Sequence, residues 1–386
     1  MRDQGLQNPT DKPLRLSGAR FTATYLLHGP AVDAQRAAED LCIEQTIEYP
    51  ADLVRDEGIR SQIFGRTLAL DPVHPHLTRA SISFAVEIAG GELTQLLNTL
   101  FGNISLKPGI RLVDVEPVPE LIAPYRGPRF GTAGLRELLQ APTRPLLATA
   151  LKPMGLPADV LADLAHDLAL GGIDLIKDDH GLADQEFGHF RERVERCSAA
   201  VRKAAAKTGR PCLYAPNVSG PADQLRQRAR FAKAAGAGAL LVAPGLVGFD
   251  AMRMLADDDS VALPILCHPA LLGSFVVHPS HGIGHGVLLG TLARLGGADI
   301  SIFPNHGGRF SFSTQDCREI VQACRAPLSA NRAILPAPAG GMRVDRVAEM
   351  RQFYGDDVVL LIGGDLHRSS NLIERCGELR DLVAGG

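Results

Sequence analysis

From residue 131 onward the sequence repeats one pattern: a short apolar run, a few polar residues, then a longer Ala/Arg-rich stretch with helical spacing. The apolar runs are LLATAL (146–151), IDLIK (173–177), CLYAP (212–216), ALLVA (239–243), PILCH (264–268), DISIF (299–303), RAILPA (332–337) and VVLLI (358–362). Strands that alternate with helices pair in parallel and are covered on both faces, which is why these runs are continuously apolar. Eight βα units in about 250 residues is the expected length of a (β/α)8 TIM barrel, and a doubly wound open sheet is the alternative. The polar residues favour the barrel. Lys152, Lys177 to His180, Asn217, His268, Asn305 and His306, Gly340 and Gly341, and Gly363 to Asp365 each follow a strand end, where barrel enzymes build their sites.

The preceding segment has a different rhythm. RFTATYLLH (20–28) reads as a strand, residues 33–44 as a helix with Asp33 at its N-cap, RASISFAVEI from Arg79 as a strand, Glu92 to Leu100 as a helix, and IRLVDVEPV from Ile110 as a strand. This alternation predicts a small α+β, ferredoxin-like βαββαβ domain. The Pro/Gly-rich run Ala123 to Gly131 breaks the composition. It places an N-terminal domain over 1–128 and a catalytic barrel over 129–386.

A chain of 386 residues with 45% hydrophobic and 22% charged residues can bury a large core. Its net charge of -3, with both signs interspersed, offers no basic face for nucleic acid or an anionic membrane. The seven cysteines are scattered and contain no C-x-x-C pair, so they are expected to be reduced, buried and structural. The N-terminus MRDQGLQNPTDKPLRL is polar and no apolar run approaches membrane-spanning length. A soluble globular protein of the cytoplasm is the expectation.

The segment GGIDLIKDDH carries the most chemistry, because an apolar strand ends in four ionisable groups. Alternate side chains of a strand face opposite ways, so Lys177 and Asp179 should point to one side, and the following turn can bring His180 round to join them. An isolated K-D-D is more often a surface ion pair. A hard divalent cation wants oxygen ligands, and a lysine supplies one only as a carbamate formed with CO2. PAPAGGM and LIGGDL follow the seventh and eighth strands, where paired glycines let backbone N–H groups approach a phosphate.

GGIDLIKDDHGLADQ resembles the G-G-x-D-x-x-K-D-D-E segment of the Rubisco large-chain superfamily, and LLATALKPMGLP resembles its T-x-K-P-K-x-G-L strand. YRGPRFGTAGLRELL and FGNISL extend the similarity over nearly the whole chain. The resemblance implies that Lys177 is a carbamylated lysine, with Asp179 and His180 as the other ligands of Mg2+, and Mn2+ or Zn2+ as alternatives. It implies that Lys152 is the catalytic lysine and that His268 contacts sugar hydroxyls. Gly340, Gly341, Gly363 and Gly364 fall on phosphate-binding glycines, and His306 lies in the loop that closes over substrate. Asn103 and Glu44 fall on residues that one subunit of a homodimer contributes to the site of the other.

Four departures separate the chain from a carboxylase. His180 replaces Glu, Met154 stands where a second lysine is expected, FPNHGGRFSF has no lysine, and Pro269 follows His268 where an arginine would grip a second phosphate. A neutral His180 leaves the cation a stronger Lewis acid, suited to polarising a ketone and supporting an enediolate. The resemblance therefore implies a Rubisco-like protein rather than a ribulose-bisphosphate carboxylase. The leading expectation is decarboxylation of a phosphorylated 3-keto sugar acid such as 3-oxo-isoapionate 4-phosphate. A transcarboxylase/hydrolase of the same compound is a sibling reading. The runner-up is an isomerase or enolase of a methylthioribulose phosphate, with Tyr49 and Phe130 lining an apolar pocket near the N-terminal domain. A non-catalytic binding or regulatory paralogue is the alternative outside enzymes.

Overall fold

A computed structural model describes residues 14–384. In chain order its strands are β1 (Arg20–His28), β2 (Arg66–His74), β3 (Leu77–Ala85), β4 (Ile110–Glu116), β5 (Leu146–Leu151), β6 (Leu175–Asp178), β7 (Leu213–Ala215), β8 (Leu240–Val242), β9 (Ile265–Cys267), β10 (Gly282–Ile283), β11 (Ile300–Pro304), β12 (Leu335–Ala339) and β13 (Val359–Leu361). They divide between two compact units.

The first unit comprises the described residues up to Tyr125 together with Gly273–Leu288 and Leu328–Ala330. Its sheet has the order β10-β4-β1-β3-β2. Strands β1 to β4 pair antiparallel, and the helices Ala34–Glu44 and Leu93–Phe101 complete a βαββαβ succession. Phe21, Ala23, Tyr25 and Leu27 of β1 are buried, as the period-2 alternation of a half-covered strand requires. Asp33 does precede the helix Ala34–Glu44, yet its side chain makes no cap hydrogen bond.

Strand β2 was not expected from the sequence. It is the outermost strand, largely exposed, and carries Pro72 on the edge where a missing N–H is tolerated. The opposite edge is covered by Gly282 and Ile283, which pair in parallel with Arg111 and Leu112 of β4. Arg111 secures that segment by donating from its guanidinium to the carbonyls of Val276, His278 and His281. Residues 273–288, assigned from sequence to the second domain, thus pack with the first unit.

The second unit holds all eight anticipated apolar runs as parallel strands, in two sheets of order β13-β5-β6-β7 and β12-β11-β9-β8. A parallel bridge between Asn217 and Leu241 links the end of β7 to β8. All eight strands contribute to one buried cluster that includes Ala148, Leu175, Ala215, Leu241, Leu266, Ile302, Ala337 and Val359. Six of the seven cysteines are buried and none forms a disulfide, with Cys212 half-buried. Among the described residues no helix is long and apolar enough to cross a membrane.

Asp299, just ahead of β11, accepts from the backbone N–H groups of Phe130, Gly131 and Ile265. These residues lie at the starts of the strands, so Phe130 packs against the core from the end opposite the strand-end polar residues. Phe130 is thus set apart from the Lys152–Asp179–His180 cluster.

Candidate active site

The C-terminal ends of β5, β6 and β9 bring Lys152, Lys177, Asp179, His180 and His268 into one cluster. Lys152 Nζ stands 3.1 Å from Asp179 Oδ1, and His180 Nδ1 lies 3.3 Å from the same oxygen. The His180 and His268 rings stack with centroids 4.4 Å apart and planes inclined by 15°. Lys177 is buried and donates to the Asp178 carbonyl at 3.0 Å.

Electrostatics follow from this packing. Burial lowers the Lys177 amine to about 8, with Asp179 opposing and Lys152 reinforcing the shift. Burial pushes the Asp179 carboxyl upward, but the hydrogen bond from His180 and the charges of Lys152 and Lys177 outweigh it and hold the group below the usual carboxylate range. Burial, aided by the charge of Lys177, drives His268 down to about 2, so this imidazole stays neutral. Ala270 N–H donates to His268 Nδ1 at 3.2 Å, which leaves the proton on Nε2.

Asp178, between the two candidate ligands, turns the other way. It is fully buried against an equally buried Arg193 at 3.1 Å, and it accepts from Tyr214 Oη at 2.7 Å and Asn217 N at 3.0 Å. The sequence placed Asp178 and Asn217 among the strand-end polar residues without a separate role, and gave no sign of Arg193 or Tyr214.

The two glycine loops also meet. Gly340 and Gly341 have φ of 78° and 103°, in the left-handed region that favours glycine. A Cβ on Gly341 would lie 3.1 Å from Gly308 Cα, so this loop packs backbone to backbone against the loop carrying His306. Asp365, directly after Gly363 and Gly364, accepts from Val344 N at 2.9 Å and ties the last two strand-end loops together. Its position after a Gly-Gly pair was the available signal for that role. Gly364 is exposed, with open space where a side chain would stand. His306 packs its ring on Phe353, centroids 4.5 Å apart.

In the first unit Asn103 Nδ2 donates to Glu44 Oε1 at 3.1 Å, so these two predicted residues form one polar pair. Lys107 also pairs with Asp40 and lies 3.8 Å from Glu44.

Comparisons with known proteins fit this arrangement. Residues 131–370 match the family model for the ribulose bisphosphate carboxylase large chain, catalytic domain. The chain is 42% identical to ribulose bisphosphate carboxylase-like protein 1 of Rhodopseudomonas palustris, over 90% of this chain and 92% of that one. It is 39% identical to 5-methylthioribulose-1-phosphate isomerase of Rhodospirillum rubrum, over 90% and 91%. It is 32% identical to 2,3-diketo-5-methylthiopentyl-1-phosphate enolase of Bacillus licheniformis, over 92% and 88%. The crystal structure of a Rubisco-like protein from Rhodopseudomonas palustris superposes with a TM-score of 0.86 at 42% identity, covering 95% of this chain and 97% of that one. The chain therefore belongs to the ribulose bisphosphate carboxylase large-chain family, on its Rubisco-like branch.

Proposed function

We propose that the protein catalyses metal-assisted proton transfer next to the ketone of a phosphorylated sugar, as an isomerase or enolase of the methylthioribulose-phosphate type. The carrying observation is the convergence of Lys152, Lys177, Asp179 and His180 at one set of strand ends. The names of the isomerase and enolase relatives favour proton transfer over the decarboxylation expected from sequence. Both reactions pass through an enediolate, so the same cluster serves either.

The donor set fits a hard divalent cation. An amine near 8 is about one-tenth neutral at pH 7, enough to add CO2 as a carbamate. Lys177 as its carbamate, Asp179 and His180 would hold Mg2+, Mn2+ or Zn2+. The cation, when bound, supplies Lewis-acid polarisation of the ketone oxygen. Lys152 moves the proton at the neighbouring carbon, held at its post by Asp179. His268 donates from Nε2 to a sugar hydroxyl. The backbone at Gly340, Gly341, Gly363 and Gly364 holds the phosphate, and the His306 loop covers the substrate.

We read the eight parallel strands as a (β/α)8 barrel and the first unit as a ferredoxin-like domain. In a homodimer the Asn103–Glu44 pair would complete the site of the other subunit. The test is incubation with Mg2+ and bicarbonate in D2O. Deuterium entering 5-methylthioribulose 1-phosphate, and lost in Lys177→Met, supports proton transfer. Release of CO2 from 3-oxo-isoapionate 4-phosphate without such exchange would instead establish the decarboxylase.

A further inference from the structure

We infer that Asp178, Arg193, Tyr214 and Asn217 form a buried positioning network that sets the backbone from Asp179 to Leu182, and through it the directions in which Asp179 and His180 present their ligand atoms. The inference rests on the reading of those two residues as metal ligands.

The network is closed at every member. Asp178 has two carboxylate oxygens. Oδ1 accepts from Tyr214 at 2.7 Å, and Oδ2 accepts from Arg193 Nε at 3.1 Å and Asn217 N at 3.0 Å. Arg193 spends its remaining donors on the loop itself, giving Nη1 to the Gly188 carbonyl at 2.7 Å and Nη2 to the Ala183 carbonyl at 2.8 Å. Asn217 has its backbone N–H on Asp178, and its side-chain Nδ2 donates to the carbonyls of His180 and Leu182, both at 3.0 Å. Ser219 N donates to Asn217 Oδ1 at 3.1 Å, which fixes the amide orientation.

Burial decides what this arrangement is for. Both charges of the Asp178–Arg193 pair are removed from water, and a desolvated pair seldom adds net stability over an apolar replacement. What it does supply is direction. Three of its hydrogen bonds end on carbonyls of the 180–183 segment, the stretch that carries His180 and follows Asp179. Groups that orient ligands in this way commonly change metal affinity by about 10- to 100-fold when removed. The side-chain bonds of the four go to one another and to backbone groups, so they act as positioning residues.

The test compares wild type, Asn217→Ala, Tyr214→Phe and Asp179→Ala in bicarbonate, measuring Mn2+ affinity and the electron paramagnetic resonance spectrum of bound Mn2+ beside thermal stability. Asn217→Ala is expected to bind Mn2+ about 10- to 100-fold more weakly with a broadened spectrum. Tyr214→Phe should move the same way by less. A folded Asn217→Ala protein with wild-type affinity and spectrum, whatever its melting temperature, overturns the inference. Should Asn217→Ala not fold, an unaltered Tyr214→Phe protein overturns it equally. If Asp179→Ala retains wild-type Mn2+ binding, the metal-site reading falls and takes this inference with it. If Asp179→Ala loses binding while Asn217→Ala does not, the inference alone fails.

Discussion

Lys152 Nζ and Asp179 Oδ1 lie 3.1 Å apart across the ends of β5 and β6, and His180 Nδ1 reaches the same oxygen. A carboxylate facing an ammonium on one side and an imidazole on the other is already arranged for a cation. The ion pair itself is partly solvated, with Lys152 37% exposed, so it contributes little to folding. Lys152→Met is therefore expected to cost less than about 1 kcal/mol of stability while lowering turnover about 10²- to 10⁴-fold. Denaturant unfolding beside steady-state kinetics checks both halves.

Lys177 gives two pH signatures. Below pH 8 each further unit removes about nine-tenths of the neutral amine, so activation by CO2 and Mg2+ should slow tenfold per unit, as ¹³C NMR of the carbamate would record. The second signature is in stability. The folded protein holds this proton less tightly than the unfolded chain, whose lysine titrates at 10.5. Unfolding thus takes up a proton between pH 8 and 10.5, and the metal-free protein gains stability from this group as pH rises through that window. The gain is on the order of 3 kcal/mol at most. It should appear as the difference between wild type and Lys177→Met in unfolding titrations.

His268 is buried enough to remain neutral, with its pKa near 2. The pH–rate profile should therefore contain no limb that disappears in His268→Gln. That variant keeps a donor at the ring's place and is expected to retain about 10-fold more activity than His268→Ala.

The glycine loops separate folding from binding. Gly341→Ala combines φ of 103° with a contact of 3.1 Å to Gly308 Cα, so it should destabilise the protein by about 1–3 kcal/mol. Gly364 has open space around it and no left-handed backbone. Gly364→Ala should leave the melting temperature unchanged and raise KM for a phosphorylated substrate, which calorimetry and kinetics together would resolve.

The parts visible in the sequence share one physical origin. Strands β5 to β9 and β11 to β13 are buried on both faces, which writes them as unbroken apolar runs. Lys177, Asp179 and His180 are adjacent in sequence, so their convergence needed only the geometry of one strand end. Strand β2 was missed because an exposed edge leaves its alternation faint. Asp178, Arg193, Tyr214 and Asn217 were not recognised together because 15 to 39 residues separate Asp178 from its partners, and Arg193 and Tyr214 alone resemble ordinary helix and strand sequence.

The pairing of Gly282 with β4 has a consequence for synthesis on the ribosome. The edge of β4 waits for a strand encoded after β5, β6, β7, β8 and β9. Its partner Arg111 precedes His278 by 167 residues, an interval of about 8 to 35 seconds at typical elongation rates. Throughout that time the β4 edge lacks the strand that covers it in the finished fold, and only the arrival of residues 276 to 283 can close it.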